Sequence, residues 1–400
     1  MLTETKDVLI HGFYGAGNVG DDAILESMVD QIAELPEVNS ITVSVYGNRP
    51  AYHGLHPVEL VPGRDLDRLC KAIEASHVLI VGGGGLLQDY HGFRLSDLLD
   101  KPLASAAKSS ALGYYGLPLV IARVLGRPAM LYAVGVGPFA SNEAAHTAGW
   151  LAQSVNAATV RDRGSAELLQ GLGVTNVSVT ADPAVSLGAC CGADGEGDRA
   201  PDERRLAGAG EGRTLVGVNL RTWPFSKSIG HDTLELARGV ARWLADEKGA
   251  GVLILPFNSG RNELRLAREL QGSLPRGASE ILSEANTPAA MLATCRRLDL
   301  VIGMRLHASV LSMAAGTPAI GLAYDPKVRR FFEEAGVPEL CLDAGGTTLE
   351  ALQVRVGEVL GDLPKWRSRV RAGIDVLRER EQHNLRVLSR LLAAGPAPTE

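Results

Sequence analysis

Residues 300–327 read LVIGMRLHASVLSMAAGTPAIGLAYDPK. The apolar run Leu300 to Gly303 has strand length, the small-residue stretch through Met313, Ala314, Ala315 and Gly316 reads as a helix, and Ala319 to Leu322 is a second strand-length run. An apolar strand, a crossover helix and another apolar strand make a parallel βαβ unit. The same rhythm fills the chain. DVLIHGF from Asp7, SITVSVYG from Ser40, HVLIVGGG from His77, PAMLYAVGVG from Pro128, AATVRD from Ala157 and VSVTADPA from Val177 form a first set. TLVGVNLR from Thr214, GVLILPF from Gly251, LDLVIGM from Leu298 and PAIGLAYD from Pro318 form a second. Strands apolar on both faces fit sheets covered by helices on each side.

Between the sets, Gly188 to Arg213 is dense in Gly, Asp, Glu and Arg and has no apolar period, which reads as a linker. The expected organisation is therefore a Rossmann-like lobe over residues 1–187, a linker over 188–213, a second Rossmann-like lobe over 214–362, and a C-terminal helix and tail over 363–400. The helix is expected from Trp366 to Leu392, with Val370, Ile374, Leu377, Leu385, Leu388 and Leu392 as its apolar stripe. Two such lobes leave a cleft at the C-terminal ends of their strands, and strand-end residues carry the functional weight.

The 400 residues carry a net charge of -6, which argues against a surface built for nucleic acid. The N-terminus MLTETKDVLIHGF lacks a secretory pattern, and no stretch reaches the roughly 18 to 20 apolar residues of a membrane span. Five cysteines, without CxxC or finger spacing, read as reduced thiols. A cytoplasmic protein, soluble or peripheral, is expected.

Gly15, Gly17 and Gly20 satisfy GxGxxG after the first strand. The acidic residue of a dinucleotide site is missing, because the second strand ends Tyr46-Gly47-Asn48-Arg49. The loop instead offers helix N-terminal amides to an anion or polar ligand, with Asn18 and Asp21 beside them. Asp21 and Asp22 equally suit the helix dipole. Gly82 to Gly85 follow the third strand, His77 to Val81, as a loop, and Gly83 and Gly84 are assigned to close backbone approach on a ligand.

Arg305 and His307 stand between a strand end and a helix N-terminus. A cation there is disfavoured unless it binds an anion, and His is the side chain best able to move a proton near neutral pH. Leu306 separates them. Lys327, Arg161 and Arg221 follow three other strands, so four strand ends deliver cations. Arg as a fork and Lys as a point charge suit a small ligand with phosphate and carboxylate groups. The residues by themselves point to an anion-handling transferase.

GFYGAGNVGDDAIL, VGGGGLLQD, VRDRGSAELL with TADPA after it, and GMRLHASVLSMAAGTPAIGLAYDPK together resemble the polysaccharide pyruvyltransferase family, most closely its CsaB type, over roughly residues 7 to 345. The resemblance implies a GT-B-like fold and pyruvyl transfer from phosphoenolpyruvate, a co-substrate, to a sugar. In the CsaB type the acceptor is a lipid-linked N-acetylmannosamine, ketalised at positions 4 and 6 for S-layer anchoring. The family's donor-binding arginine falls on Arg161, its RLH motif on Arg305 to His307, and its lysine on Lys327. Pro256 to Gly260 and the long linker depart from the family pattern. The proposed roles are His307 as proton donor and Asp21 as base; the C-terminal arginines Arg367, Arg369, Arg371 and Arg378 offer a peripheral membrane contact, but Asp375, Glu379 and Glu381 interrupt the charge and favour an interlobe packing helix with a solvated face. A homo-oligomer stays open. The rivals are a GT-B glycosyltransferase or epimerase using a nucleotide sugar, an NADP-dependent reductase and a non-catalytic anionic-glycan binder.

Overall fold

The computed structural model describes residues 5–47, 52–54, 56–90, 92–96, 110–188, 213–221, 227–282 and 287–394. Arg49, Cys190, Cys191, nearly all of the linker, Thr222 to Pro224 and the last six residues lie outside these ranges. The described residues fall into two compact units, one within Met1–Ala16, Ile24–Pro183 and Arg378–Glu400, the other within Gly17–Ala23 and Ala184–Leu377. The glycine loop's second half thus groups with the second unit, and the chain from Arg378 onward with the first. Sequence continuity alone does not anticipate either.

The first unit holds a seven-stranded sheet ordered β3-β2-β1-β4-β5-β6-β7. Its strands are β1 (Lys6–His11), β2 (Val38–Val45), β3 (Glu59–Pro62), β4 (Val78–Leu87), β5 (Ala129–Val136), β6 (Ala157–Val160) and β7 (Val177–Val179). Every pairing is parallel. All eight residues of β5 are buried, which is why its sequence AMLYAVGV shows no polar alternation. Helices α1 (Val19–Ala33), α2 (Leu66–Ala75), α3 (Ala111–Val124), α4 (Asn142–Gln153) and α5 (Arg163–Gly171) connect the strands. Their starts follow capping chemistry: Ser110, Ser141 and Asp162 each accept from a first-turn amide. Leu9, Leu79, Leu131, Leu112, Leu119 and Leu151 belong to one core cluster, which joins the sheet to α3 and α4.

The second unit's sheet runs β10-β9-β8-β11-β12-β13. Its strands are β8 (Leu215–Asn219), β9 (Gly251–Ile254), β10 (Ser279–Ile281), β11 (Leu300–Gly303), β12 (Ala319–Ala323) and β13 (Cys341–Asp343), again all parallel. Helices α6 (Lys227–Asp246), α7 (Arg261–Gly272), α8 (Pro288–Arg296), α9 (Leu306–Ala314), α10 (Pro326–Glu334), α11 (Leu349–Gly361) and α12 (Leu363–Glu381) complete it, and α13 (His383–Ala394) follows. Both sheets reverse their strand order once, between β1 and β4 and between β8 and β11. Such switch points are where open α/β sheets take ligands.

Three readings of the sequence change. The short edge strands β3, β10 and β13 were not visible as apolar runs. The single helix expected from Trp366 to Leu392 is two, α12 and α13, separated at Gln382. Gly82 to Gly85 lie inside β4 rather than in a loop after it. A β-carbon at Gly82 would come 2.7 Å from Met28 Cε and one at Gly83 would come 1.9 Å from Ile24 Cγ2. Close approach of α1 to the sheet therefore gives both glycines a packing reason. Gly84 has a positive φ of 88°.

Among the described residues no helix is long and apolar enough to cross a membrane. No group of three His, Cys, Asp or Glu side chains there converges as a metal would need. Cys295 and Cys341 are buried, and burial raises their thiols to about 12 and about 11.

Candidate functional site

In the second unit the residues singled out in the sequence gather around the β8–β11 switch point. Arg305 leaves β11 as the N-cap of α9, with extended backbone, and has no side-chain capping bond. Its guanidinium Nε pairs with Glu263, and the Glu263 side chain is only 4% exposed. Its backbone N–H donates to Asn219 Oδ1 at 3.0 Å, while Asn219 Nδ2 donates to Leu255 O at 2.9 Å. Asn219 ends β8, so it ties three adjacent strand ends together. Glu263 and Asn219 are buried polar residues that the strand-end search passed over. Asn219 carried a signal, being a polar residue closing an apolar strand.

His307 lies two residues on, buried in the first turn of α9. Its imidazole packs on Gly20: a β-carbon there would come within 2.2 Å of Nδ1 and 2.4 Å of Cγ. Leu306 between them is also buried. The glycine-rich loop therefore forms a wall against the RLH motif. Val19 N–H donates to Phe257 O at 2.9 Å, Ser259 N–H donates to Gly17 O at 2.9 Å, and Asn18 bridges Asn258 in antiparallel fashion. Gly20 N–H turns to Asn18 Oδ1 at 3.3 Å, and Asn18 Nδ2 donates to Asp21 Oδ2. Of the loop amides expected to face an anion or polar ligand, those of Val19 and Gly20 are bonded inside the protein. Glu263 Oε2 accepts from the N–H groups of Phe257 and Asn258 at 3.0 and 2.9 Å. The segment Pro256 to Gly260, which departs from the family pattern, is the strip against which Gly17 to Val19 pair.

Arg221 follows β8 and Lys327 follows β12, the two neighbours of β11. Arg221 Nη1 donates to Tyr324 Oη at 2.7 Å, and its Cζ lies 5.0 Å from the Tyr324 ring centroid. Lys327 Nζ stands 5.9 Å from the same centroid and 3.4 Å from Asp325 Oδ2. Asp325 also caps α10 by accepting from Lys327 N–H at 3.0 Å. Tyr324 is the residue that organises both cations, and the sequence reading quoted it without assigning it a role. Arg305, Arg221 and Lys327 thus issue from three consecutive strands.

Arg161 belongs to the first unit, where it follows β6. Its Nη1 pairs with Asp182 Oδ2 at 2.9 Å, its Nε lies 3.9 Å from Asp162 Oδ2, and its side chain is 5% exposed. The guanidinium lies over glycine backbone. A β-carbon at Gly135 would come 2.9 Å from Nη2, and one at Gly85 would come 3.7 Å from it. Removing either member of a buried pair leaves a charge in low dielectric, at a cost of about 3 to 5 kcal/mol. In the C-terminal helices Arg367 pairs with Asp299 at 3.0 Å and Arg369 with Glu339, so these two charges have protein partners.

Comparison with known proteins gives this geometry a context. The family model described as polysaccharide pyruvyl transferase matches residues 18–326. The amylovoran biosynthesis protein AmsJ of Erwinia amylovora is 23% identical over 406 residues, covering 92% of this chain and 95% of that protein. Among solved structures, S. aureus MnaA with UDP superposes with a TM-score of 0.63 at 11% identity, covering 99% and 100% of the two chains. The UDP-GlcNAc 2-epimerase of Methanocaldococcus jannaschii gives 0.61 at 11% identity over 96% and 100%. The α,α-trehalose 6-phosphate synthase of Burkholderia multivorans gives 0.55 at 11% identity over 98% and 97%. At these identities the likeness is one of fold: two parallel-sheet α/β lobes of the GT-B-like kind.

Proposed function

Because the chain belongs to the polysaccharide pyruvyl transferase family, we propose that it moves the pyruvyl group of phosphoenolpyruvate onto a sugar of a polysaccharide precursor. The observation that carries this reading is the triplet of cations on consecutive strands, Arg221, Arg305 and Lys327, with a buried histidine two residues from the central one. A donor with a phosphate and a carboxylate matches that array; for Arg161, in the first unit, a donor-binding role is proposed on the family resemblance alone. Relationship to a protein of amylovoran biosynthesis supports a glycan acceptor.

In the proposed reaction His307 gives a proton to the methylene carbon of phosphoenolpyruvate, leaving an oxocarbenium-like centre at C2. A sugar hydroxyl adds to C2 and loses its proton to Asp21. A second hydroxyl then attacks C2 as the C2–O bond to phosphate breaks, and its proton leaves on the inorganic phosphate, closing the ketal. The fixed guanidinium groups stabilise the departing phosphate. The acceptor we favour is a lipid-linked N-acetylmannosamine, ketalised at positions 4 and 6 as in the CsaB type that prepares polymers for S-layer anchoring. Phosphoenolpyruvate is a cytosolic metabolite, so the reaction belongs at the inner face of the membrane. No organic cofactor or metal enters this scheme.

The test is to incubate the protein with phosphoenolpyruvate and lipid-linked or nitrophenyl N-acetylmannosaminides, reading phosphate release and a pyruvyl mass gain. Absence of both overturns the reading. Thermal stabilisation by UDP-sugars but not by phosphoenolpyruvate would move the protein to the nucleotide-sugar enzymes.

A further inference from the structure

The buried stripe of the two C-terminal helices runs Val370, Ile374, Leu377, Glu381, Asn384, Leu388 and Leu392, at steps of three and four residues. Five of these positions are aliphatic. Glu381 and Asn384, both 0% exposed, occupy core positions where an apolar residue would avoid the cost of burying polar groups. Each makes a hydrogen bond into the first unit's sheet. Thr159 Oγ1 donates to Asn384 Oδ1 at 2.6 Å, and Tyr132 Oη donates to Glu381 Oε1 at 3.5 Å. Burial first, and the Glu381 carboxylate second, hold the Tyr132 phenol well above its ordinary range, so it remains a donor. From the same turn, Arg380 Nη2 donates to Thr180 O at 2.8 Å.

The three landing points lie two or three residues along the chain from Arg161 or from residues that touch it. Thr159 lies two residues before it on β6. Thr180 lies two residues before its ion-pair partner Asp182. Tyr132 lies three residues before Gly135, over which its guanidinium rests. Thr159 has a second task, because its Oγ1 accepts the N–H of Ala133 at 2.8 Å. Ala133 adopts φ 49°, a left-handed conformation that costs a β-carbon-bearing residue about 1 kcal/mol or more. It sits in the register irregularity between Leu131 and Val134 where β5 pairs with β6. Past that irregularity Val134 faces Val160, and Arg161 N–H donates to Val134 O at 3.3 Å. The bulge thus sets the backbone on which Arg161 rests, and Thr159 joins the bulge to Asn384.

We propose that Asn384, seconded by Glu381 and Arg380, is a positioning residue for Arg161: the C-terminal helical segment fixes the bulge in β5 and thereby the aim of the donor-binding guanidinium. This rests on reading Arg161 as a ligand for the phosphoenolpyruvate anion. A purely structural role makes the opposite forecast for one substitution. Asn384→Leu completes the apolar stripe and leaves the Thr159 hydroxyl the Leu131 carbonyl at 3.3 Å as acceptor, so the melting temperature is unchanged or raised while the bond from β6 to the C-terminal helix is lost.

The experiment measures the Kd of phosphoenolpyruvate by calorimetry for the full chain and for Arg161→Lys, Asn384→Leu, Thr159→Val and the Asn384→Leu/Thr159→Val double variant, with melting temperatures alongside. Expected are a Kd raised about tenfold in Asn384→Leu with no fall in melting temperature, a similar rise in Thr159→Val, and a double variant no worse than either. If Arg161→Lys weakens binding and a folded Asn384→Leu does not, the positioning role is overturned and the donor reading stands. If Arg161→Lys leaves Kd unchanged, the donor reading falls and the inference with it. Should Asn384→Leu fail to fold, Thr159→Val decides on the same criterion.

Discussion

Gly20 and His307 are packed so that a β-carbon on the first would lie 2.2 Å from Nδ1 of the second. Position 20 thus admits only hydrogen beside the imidazole, and the glycine that looks like part of a dinucleotide fingerprint serves as a seat for the candidate proton donor. In Gly20→Ala the ring must move by an ångström or so, enough to cost about 100-fold in a reaction that depends on aim. Phosphate release from phosphoenolpyruvate and acceptor should fall by that order while phosphoenolpyruvate binding changes little. A wild-type turnover rate would remove His307 from the chemistry or show that its position is immaterial.

Glu263 is buried and holds Arg305 with one oxygen and two backbone amides with the other. Glu263→Gln keeps the shape and removes the charge. Loss of these charge-assisted bonds is expected to lower stability by about 2 kcal/mol, read as a fall in the denaturant midpoint without a change in slope. An unshifted midpoint would mean that the carboxylate's desolvation already offsets its bonds.

Tyr324 lies beside two cations. Tyr324→Phe keeps the ring and removes the oxygen that accepts from Arg221. One hydrogen bond of about 1 kcal/mol corresponds to roughly a fivefold weaker Kd for phosphoenolpyruvate, measurable by calorimetry. Tyr324→Leu, which also removes the ring, should weaken it further.

His11 is buried between Ser44 Oγ at 2.9 Å and the Tyr114 carbonyl at 3.2 Å, and burial lowers its pKa to about 4. The unfolded chain binds that proton near pH 6.5, so between about 6.5 and 4 the unfolded state holds more protons than the folded one. Stability conferred by the neutral ring is complete above that window and is lost as pH falls through it, by up to about 3 kcal/mol. Unfolding curves for wild type and His11→Asn should converge as pH drops from 7 to 4. Parallel slopes would show that the ring is already charged or already wet.

The central strands were legible because each is buried on both faces and reads as an unbroken apolar run. Glu59–Pro62, Ser279–Ile281 and Cys341–Asp343 were not, since edge strands of three or four residues bury too little to leave a pattern. The candidate cations were legible through position: in the first unit Arg161, and in the second Arg221, Arg305 and Lys327, each follow a strand. Their partners were not. Glu263 lies on a helix 42 residues from Arg305, and Asp182 lies 21 residues beyond Arg161. Nothing in local pattern marks one surface-type acid among many as the buried one.

Sequence alone determined the alternation of strands and helices, the class of the fold and the strand ends at which charge gathers, because these depend on local periodicity and on which residues can sit inside a sheet. Only the tertiary structure decided what the glycines are for. It assigned Gly20 to the imidazole, Gly135 to the Arg161 guanidinium, and Gly82 and Gly83 to the close approach of α1. A missing side chain leaves no chemical trace in a sequence, and the atom that needs the space becomes known only when the chain has folded around it.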